Sequence, residues 1–403
     1  MRNKQNKGVA KVMFDYWILV ILWQTFRPVA NRSLVDSLVK LGLFGMVLLY
    51  GVSHRDTRNT GRISVLFFLF LLTQMITIFS DSITTGSIIT NVFMIIEIVV
   101  FVIWLHNEEI SLDELEWFAG RIIFVAVVMS GYSILFRTGR FIRSFTSAGA
   151  YGSECKSFLY SNHEYALYLA TALVFSIWMR FSKRTGGTKS TLLIAFLTIN
   201  LITAFSRTAF FGCIIAIAFL SFAAGVKYFG RISFAGAAVL TVSLVNGKAR
   251  NFVLGKILKG SYEKSGSIMD QGRSVMYQEE WRYFRKGSLM EKLFGHGYVG
   301  NQAGGHDAYL AILNTGGILM FLFFAILIIR CLMVTRTCMR IDRMTGALFV
   351  GLQIMVLMYM VTQTPIIFYS TMDSFFITVM FVMIPLYTTN FLLNQAWLNA
   401  GES

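Results

Sequence analysis

The chain has little charge. Asp, Glu, Lys and Arg make up 14% of its 403 residues, where a soluble protein carries nearer a quarter. That shortage excludes a water-facing surface over most of its length. There are 3 prolines, so helices are seldom broken by a ring that removes a backbone donor. The 4 cysteines, Cys155, Cys213, Cys331 and Cys338, have neither metal-ligand nor redox-motif spacing. The 5 histidines are scattered and no acidic pair has ligand spacing, so no metal is expected. There is no Gly-x-Ser-x-Gly elbow and no Walker loop, which excludes lipase-type and ATP-driven chemistry. Internal repeats and low-complexity stretches are missing too.

What the chain has instead is apolar length. Hydrophobic residues are 55% of it and the mean hydropathy is +0.62. These features imply an all-α, polytopic membrane helix bundle. About twelve runs approach the roughly 20 residues that cross a bilayer. They lie at 12–26, 34–52, 63–79, 87–105, 119–136, 163–181, 191–206, 208–228, 231–246, 307–333, 345–363 and 374–393. Residues 1–403 read as one integral membrane domain, with a large extracytoplasmic loop at 247–306. Arg2, Lys4, Lys7 and Lys11 ahead of an apolar run imitate a signal peptide. No small-x-small cleavage site follows, so an uncleaved first span is expected.

Lys and Arg number 36 against 21 Asp and Glu, a net charge of +15. No soluble basic domain exists to hold nucleic acid, so none is expected as a partner. The bland source of the excess is cytoplasmic loops obeying the positive-inside bias. An even number of spans places both termini on one side, and the basic N-terminus makes that side the cytoplasm. It puts Ser53–Arg62, Ser182–Ser190 and Arg336–Arg343, all short and basic, inside. The acidic stretch His106–Trp117 reads as a solvated cytoplasmic surface. The turns Asp81–Gly86 and Thr362–Asp373 fall outside and carry no Lys or Arg. Two outer loops break the pattern. One, from Arg137 to about Asn162, holds Arg137, Arg140, Arg143 and Lys156. The other, 247–306, holds ten Lys or Arg. Long loops translocate largely regardless of charge, so the topology stands. The outer cations call for an anion, either membrane lipid or a substrate.

Within the larger loop, Tyr277, Trp281 and Phe284 recur at helical spacing. Asp270 is placed to cap that helix and Gly287 to end it. The expected element is an amphipathic helix on the membrane surface. Arg207 lies in a two-residue break between apolar runs, and is either a fixed cation with a fork suited to phosphate or a snorkelling helix end. Arg273 opens the loop helix, or is a solvated loop arginine. His306 and Asp307 stand at the mouth of the 307–333 span. The helix dipole there disfavours imidazolium, leaving a histidine able to take a proton near neutrality. The bland reading is an interfacial histidine without a task. Tyr309 and Leu310 follow on the same face, and Gly316 and Gly317 permit close helix packing. Asn162, His163 and Glu164 stand at another outer helix entrance. Glu97 is expected to face the bundle interior. His54, His106 and His296 read as ordinary loop residues. Phe141, Phe145, Tyr151 and Tyr160 are sugar-stacking groups or interfacial anchors.

Three segments in order carry a resemblance: "SRTAFFG" from Ser206, "GRSVMYQEEW" followed by "LFGHGYVG" at Leu293–Gly300, and "HDAYLAILNTGGILMFL" from His306. Together they resemble the O-antigen polymerase and O-antigen ligase superfamily of bacterial membrane enzymes, over about residues 195–330. The resemblance implies a multi-pass protein of the inner membrane working at its outer face. It implies that Arg207 and Arg273 hold the diphosphate of an undecaprenyl-diphosphate-linked oligosaccharide, and that His306 activates or positions the acceptor hydroxyl. Arg137, Arg140, Arg143, Asn162, Asp307 and Tyr309 are candidate substrate-binding residues. Neither metal nor nucleotide cofactor is implied. A chain-length regulator protein is the further partner expected. Asp307 departs from the family's usual Asn after the histidine. The favoured activity is polymerisation of repeat units for O-antigen, capsule or exopolysaccharide. Its rivals are ligation of glycan to lipid A–core and, in another class, transport of the same lipid. A transporter places ionisable residues near mid-membrane, whereas here they gather at the outer edge.

Overall fold

The computed structural model describes residues 109–146, 154–159, 161–258, 273–296, 307–363, 376–377 and 379–401, with Asp15, Ile18 and Gly45 besides. Among them the regular structure is helical and no strand occurs. The helices are α1 (Leu112–Phe136), α2 (Thr138–Thr146), α3 (Asn162–Phe181), α4 (Gly187–Ala204), α5 (Arg207–Ala224), α6 (Val226–Val245), α7 (Gly247–Leu258), α8 (Arg273–Lys286), α9 (Leu289–Phe294), α10 (Ala308–Ile341), α11 (Arg343–Met360) and α12 (Ile384–Gly401). A π-helical turn, Val379–Met383, precedes α12. Five of these, α1, α4, α5, α10 and α11, are long and apolar enough to cross a membrane. The protein is therefore an all-helical, membrane-embedded chain. The expected spans at 12–26, 34–52, 63–79 and 87–105 lie outside the described residues apart from Asp15, Ile18 and Gly45.

The chain folds as two compact units. One comprises Met1–Ser111, Val275–Val334 and Met360–Ser403; the other comprises Leu112–Ser274 and Thr335–Tyr359. The second is built around α3, which packs against α4, α5 and α1. From Tyr165 to Trp178 every α3 residue is buried, the all-round apolar pattern of a helix surrounded by others. From α1 the stripe Leu115, Phe118, Ala119, Ile122, Val125, Ala126 and Met129 turns inward at helical spacing. Helices α5 and α11 cross at small residues. A Cβ on Gly212 would stand 2.9 Å from the Met355 Cα, and one on Gly351 would stand 2.9 Å from the Ala216 Cα. Small residues are what let two helices in a membrane approach so closely.

Several boundaries differ from the sequence reading, each for a local reason. Helix α1 starts at Leu112 rather than 119, so the end of the acidic stretch forms its first turns. Asp113 and Glu114 suit the positive end of the helix dipole, and Glu116 pairs with Arg184 at the far end of α3. That pair ties two segments that span alternation assigns to one side. Arg343 joins α11 to α5 in a similar way, donating to the Phe222 carbonyl at 3.2 Å and lying over its ring. The break expected near 229 falls at Gly225, whose φ of +123° a side chain would resist. The expected loop Arg336–Arg343 is helical except at Asp342. Its Oδ1 accepts from Met344 N and Thr345 N, and its Oδ2 accepts from the Thr345 hydroxyl. One capping residue replaces the loop. Residues 138–146, expected within a loop, form α2, and three helices occupy parts of 247–306.

In the other unit, α8 and α9 fold back on the first turns of α10. Ser288 caps α9 through a reciprocal capping box with Glu291. The α8 face differs from the expected one. Phe284 is buried, but Trp281 is exposed, and the residue one turn before Phe284 on the buried side is Glu280. Tyr277 donates its hydroxyl to the Val361 carbonyl at 3.0 Å. Glycine at 316 and 317 does more than ease helix packing. Gly317 has φ +68° and bends α10. A Cβ there would run into the Leu293 carbonyl, and one on Gly295 would strike the Thr315 carbonyl.

The α5–α11 crossing gives a stability prediction. Gly351→Leu forces a branched side chain against the α5 backbone and should destabilise the second unit by about 1–3 kcal/mol. A lowered melting temperature in detergent micelles is the expected result, with Gly120→Leu, where a Cβ meets nothing within 4 Å, as the control.

Candidate functional site

The break ahead of Arg207 is held by donors from a neighbouring segment. A helix ends with carbonyls that have no intrahelical partner. The last turn of α4 offers the Thr203 and Ala204 carbonyls at this point. Cys155 N donates to Thr203 O at 3.0 Å, and Asn162 Nδ2 donates to Ala204 O at 3.1 Å. The loop that carries Cys155 is fixed in turn by Ser157, whose hydroxyl donates to Met129 O at 2.7 Å. Ser157 adopts φ +53°, a left-handed conformation that non-glycine residues take only when their surroundings enforce it.

The two residues of the break are Phe205 and Ser206, and Arg207 is the first residue of α5 rather than part of the gap. Ser206 occupies the N-cap position without making a side-chain cap bond. Its hydroxyl meets His163 Nδ1 at 2.9 Å and Thr208 Oγ1 at 3.4 Å. His163 is itself held at the mouth of α3, where its backbone N donates to the Ser161 hydroxyl. Helix α5 thus opens on a half-buried arginine, and the serine that would close its mouth is engaged elsewhere. A cation at this end works against the helix dipole, so helix stability does not account for it. Arginine and first-turn N–H groups together concentrate positive potential where phosphate oxygens bind well.

Arg137, Arg140 and Arg143 lie in the same unit, exposed at the end of α1 and along α2. Phe145 stacks on Phe252 of α7 with ring centroids 6.1 Å apart, which gives that aromatic a packing role. Tyr151 and Tyr160 lie outside the described residues. The Asn162 amide nitrogen caps the end of α4.

The other unit holds the entrance to α10. Asp307 Oδ1 accepts from Tyr309 N at 2.8 Å and from Leu310 N at 3.3 Å. Asp307 therefore caps the helix, which decides its structural role. Burial raises its pKa, and the two N–H bonds pull it back down. Tyr309 is half-buried and packs edge-on to Phe324. Glu280 of α8 is 0% exposed. Burial, and next the charge of Asp307, push its pKa up to about 7. Among the described residues, neither carboxyl oxygen of Glu280 has a hydrogen-bond partner, and the same is true of Asn314 Oδ1 on α10. Asn314 Nδ2 donates to the Glu280 backbone carbonyl at 3.3 Å, and His296 N donates to Asn314 O at 2.8 Å.

His296 is not an ordinary loop residue. Its ring lies 4.4 Å from that of Tyr283, and its Nδ1 is 3.4 Å from Glu291 Oε1. The Ser288 bonds hold the Glu291 carboxyl below the usual range. His306 lies outside the described residues. Arg273 is the first residue of α8, and its side chain lies outside the description. Among the described residues no group of three metal-ligating side chains occurs. Sequence reading missed Glu280, because "QEEW" looks solvated, and it missed the Ser288–Glu291 box, whose Ser-x-x-Glu spacing was a usable signal. Compared with protein-family models and with curated proteins, the chain matches none.

The hairpin that positions Glu280 depends on the backbone approach at Gly317. Gly317→Ala imposes both a strained φ and a collision with the Leu293 carbonyl, for an expected cost above about 2 kcal/mol. Limited trypsin digestion should then cut at Arg285 or Lys292 well before it does in the wild-type protein.

Proposed function

We propose that the protein is a membrane glycosyltransferase that polymerises undecaprenyl-diphosphate-linked repeat units of a surface polysaccharide. The observation that carries the reading is the mouth of α5. There Arg207 heads a helix whose N-cap serine is turned to His163, while Asn162 and Cys155 fix the adjoining break. A guanidinium at the N-terminus of a helix suits a diphosphate. The ordered resemblance of Ser206–Gly212, Gly272–Trp281 with Leu293–Gly300, and His306–Leu322 to the polymerase and ligase superfamily supports the same chemistry. The about twelve-span bundle, the extracytoplasmic loop at 247–306 and an outer-face site in the bacterial inner membrane are parts of this proposal.

In the reaction the acceptor hydroxyl attacks the anomeric carbon from the face opposite the diphosphate. The new C–O bond forms as the bond from anomeric carbon to phosphate oxygen breaks, and the configuration inverts. The leaving diphosphate takes the electron pair, and negative charge grows on it. Cations fixed at that position are worth more in the transition state than in the ground state. The hydroxyl proton passes to His306. Arg207 and Arg273 are assigned to the diphosphate. Asp307 holds the first turn of α10 through its cap and so fixes the backbone next to His306.

Deleting the gene and separating surface glycan on a gel tests the activity. Single-repeat product is expected. Full-length polymer left on its lipid carrier would mean a ligase, and unchanged glycan would reject both. Arg207→Ala or His306→Ala should lower polymer formation at least about a hundredfold; near-normal polymer from either variant rejects the assigned site.

A further inference from the structure

Glu280 is the buried ionisable group that the reaction above leaves unused. Its side chain is fully enclosed, and among the described residues no donor meets either carboxyl oxygen or the buried Asn314 Oδ1. The amide of Asn314 reaches the Glu280 backbone carbonyl, so the two residues share one interface between α8 and α10. A buried acceptor oxygen without a donor is costly, and Glu280 carries two. One proton removes the difficulty by turning a Glu280 oxygen into an O–H donor and cancelling its charge. Among the described residues the cations of α8 and α9 lie elsewhere: Arg282, Arg285 and Lys286 are exposed and Lys292 is half-buried. Asp307 at the mouth of α10 is an anion, and Glu291 of α9 is another. His296 is set against Glu291 and Tyr283.

We propose that Glu280 is held as a neutral carboxylic acid and is a positioning residue for the α10 mouth, acting through Asp307. This role rests on the glycosyl-transfer reading. While Glu280 keeps its proton, it sets no charge against Asp307, and the Asp307 cap on Tyr309 and Leu310 is undisturbed. When Glu280 ionises, two carboxylates oppose each other across enclosed, poorly screening surroundings. The α10 mouth, whose chain neighbour is His306, then loses its set position. The step is a proton release to solvent with no other bond changed.

Burial and Asp307 raise the carboxyl to about 7, which fixes the sign of the effect. A group with a raised native pKa binds its proton more tightly in the folded state. Its stabilising contribution is whole below the ordinary glutamate value and is lost as pH rises to about 7. The purified full chain in detergent should show an infrared protonated-carboxyl band that fades near pH 7, with a melting temperature falling over the same rise in pH. Glu280→Gln should abolish that band and flatten the fall in melting temperature. Polymer formation, each variant normalised to its own maximum, should decline about tenfold per pH unit well above 7 in the wild type. In Glu280→Gln that alkaline decline should disappear. Glu280→Ala, which leaves Asn314 facing a void, controls for simple structural loss and should lower the melting temperature at every pH.

A carboxyl band that survives in Glu280→Gln, or an alkaline decline that persists there, overturns the proposal. Stabilisation by millimolar calcium or magnesium that Glu280→Gln abolishes overturns it too, because a cation would then hold the site. If the wild type makes no polymer, the glycosyl-transfer reading fails and the positioning role fails with it. The band and the melting profile still report whether Glu280 holds its proton, so the two failures are distinguishable.

Discussion

A helix that stops in or beside a bilayer leaves backbone carbonyls and N–H groups with no water to satisfy them, and each orphan costs several kcal/mol or so. This constraint governs where the chain breaks. At the end of α4 the orphan carbonyls are taken by Cys155 N and Asn162 Nδ2. At the starts of α10 and α11 the orphan N–H groups are taken by Asp307 and Asp342. At the start of α9 Ser288 and Glu291 serve each other. Each break is therefore also a place where a polar side chain has been fixed. The proposed chemistry uses such places because they are where polar groups in an apolar chain already have a reason to be.

The same constraint gives weight to the exceptions. Ser206 stands at a cap position and does not cap; its hydroxyl goes to His163. Beside it stands Arg207, a residue the dipole disfavours at that end. Glu280 is another exception, a buried carboxyl that no donor meets among the described residues. In the proposed chemistry an anion occupies the mouth of α5 and a proton rests on Glu280.

What the sequence disclosed follows from how local each signal was. The end of α8 at Gly287 and the special position of Asp307 are written in a few adjacent residues, and the structure has both; the break read at Arg207 falls just before it, at Phe205 and Ser206. Where a boundary depended on a distant partner, hydropathy misplaced it. The acidic residues of α1 discouraged a helix start at Leu112, because their partner Arg184 is far along the chain. Asp342 hid inside a basic stretch that looked like a loop. The face of α8 was judged by its aromatics, yet Trp281 is exposed and Glu280 enclosed. Only the fold of α10 against α8 reveals that, since nothing local distinguishes Glu280 from the exposed Glu279 beside it.

The glycines at 295 and 317 show why such a carboxyl persists. Both have positive φ, and each would carry its Cβ into backbone of the opposite strand of the hairpin. Backbone meeting backbone cannot relax by a rotamer change, so the interface beside Asn314 has a spacing that side chains cannot adjust. With that spacing fixed, Glu280 and, one turn later, Phe284 are both held buried. A carboxyl so confined responds to pH by exchanging its proton rather than by moving. Its neighbour Asp307, tied to two backbone N–H groups, can answer the new charge only by loosening the cap. The rigid glycine contact thus converts a change of one proton into a change at the entrance of α10.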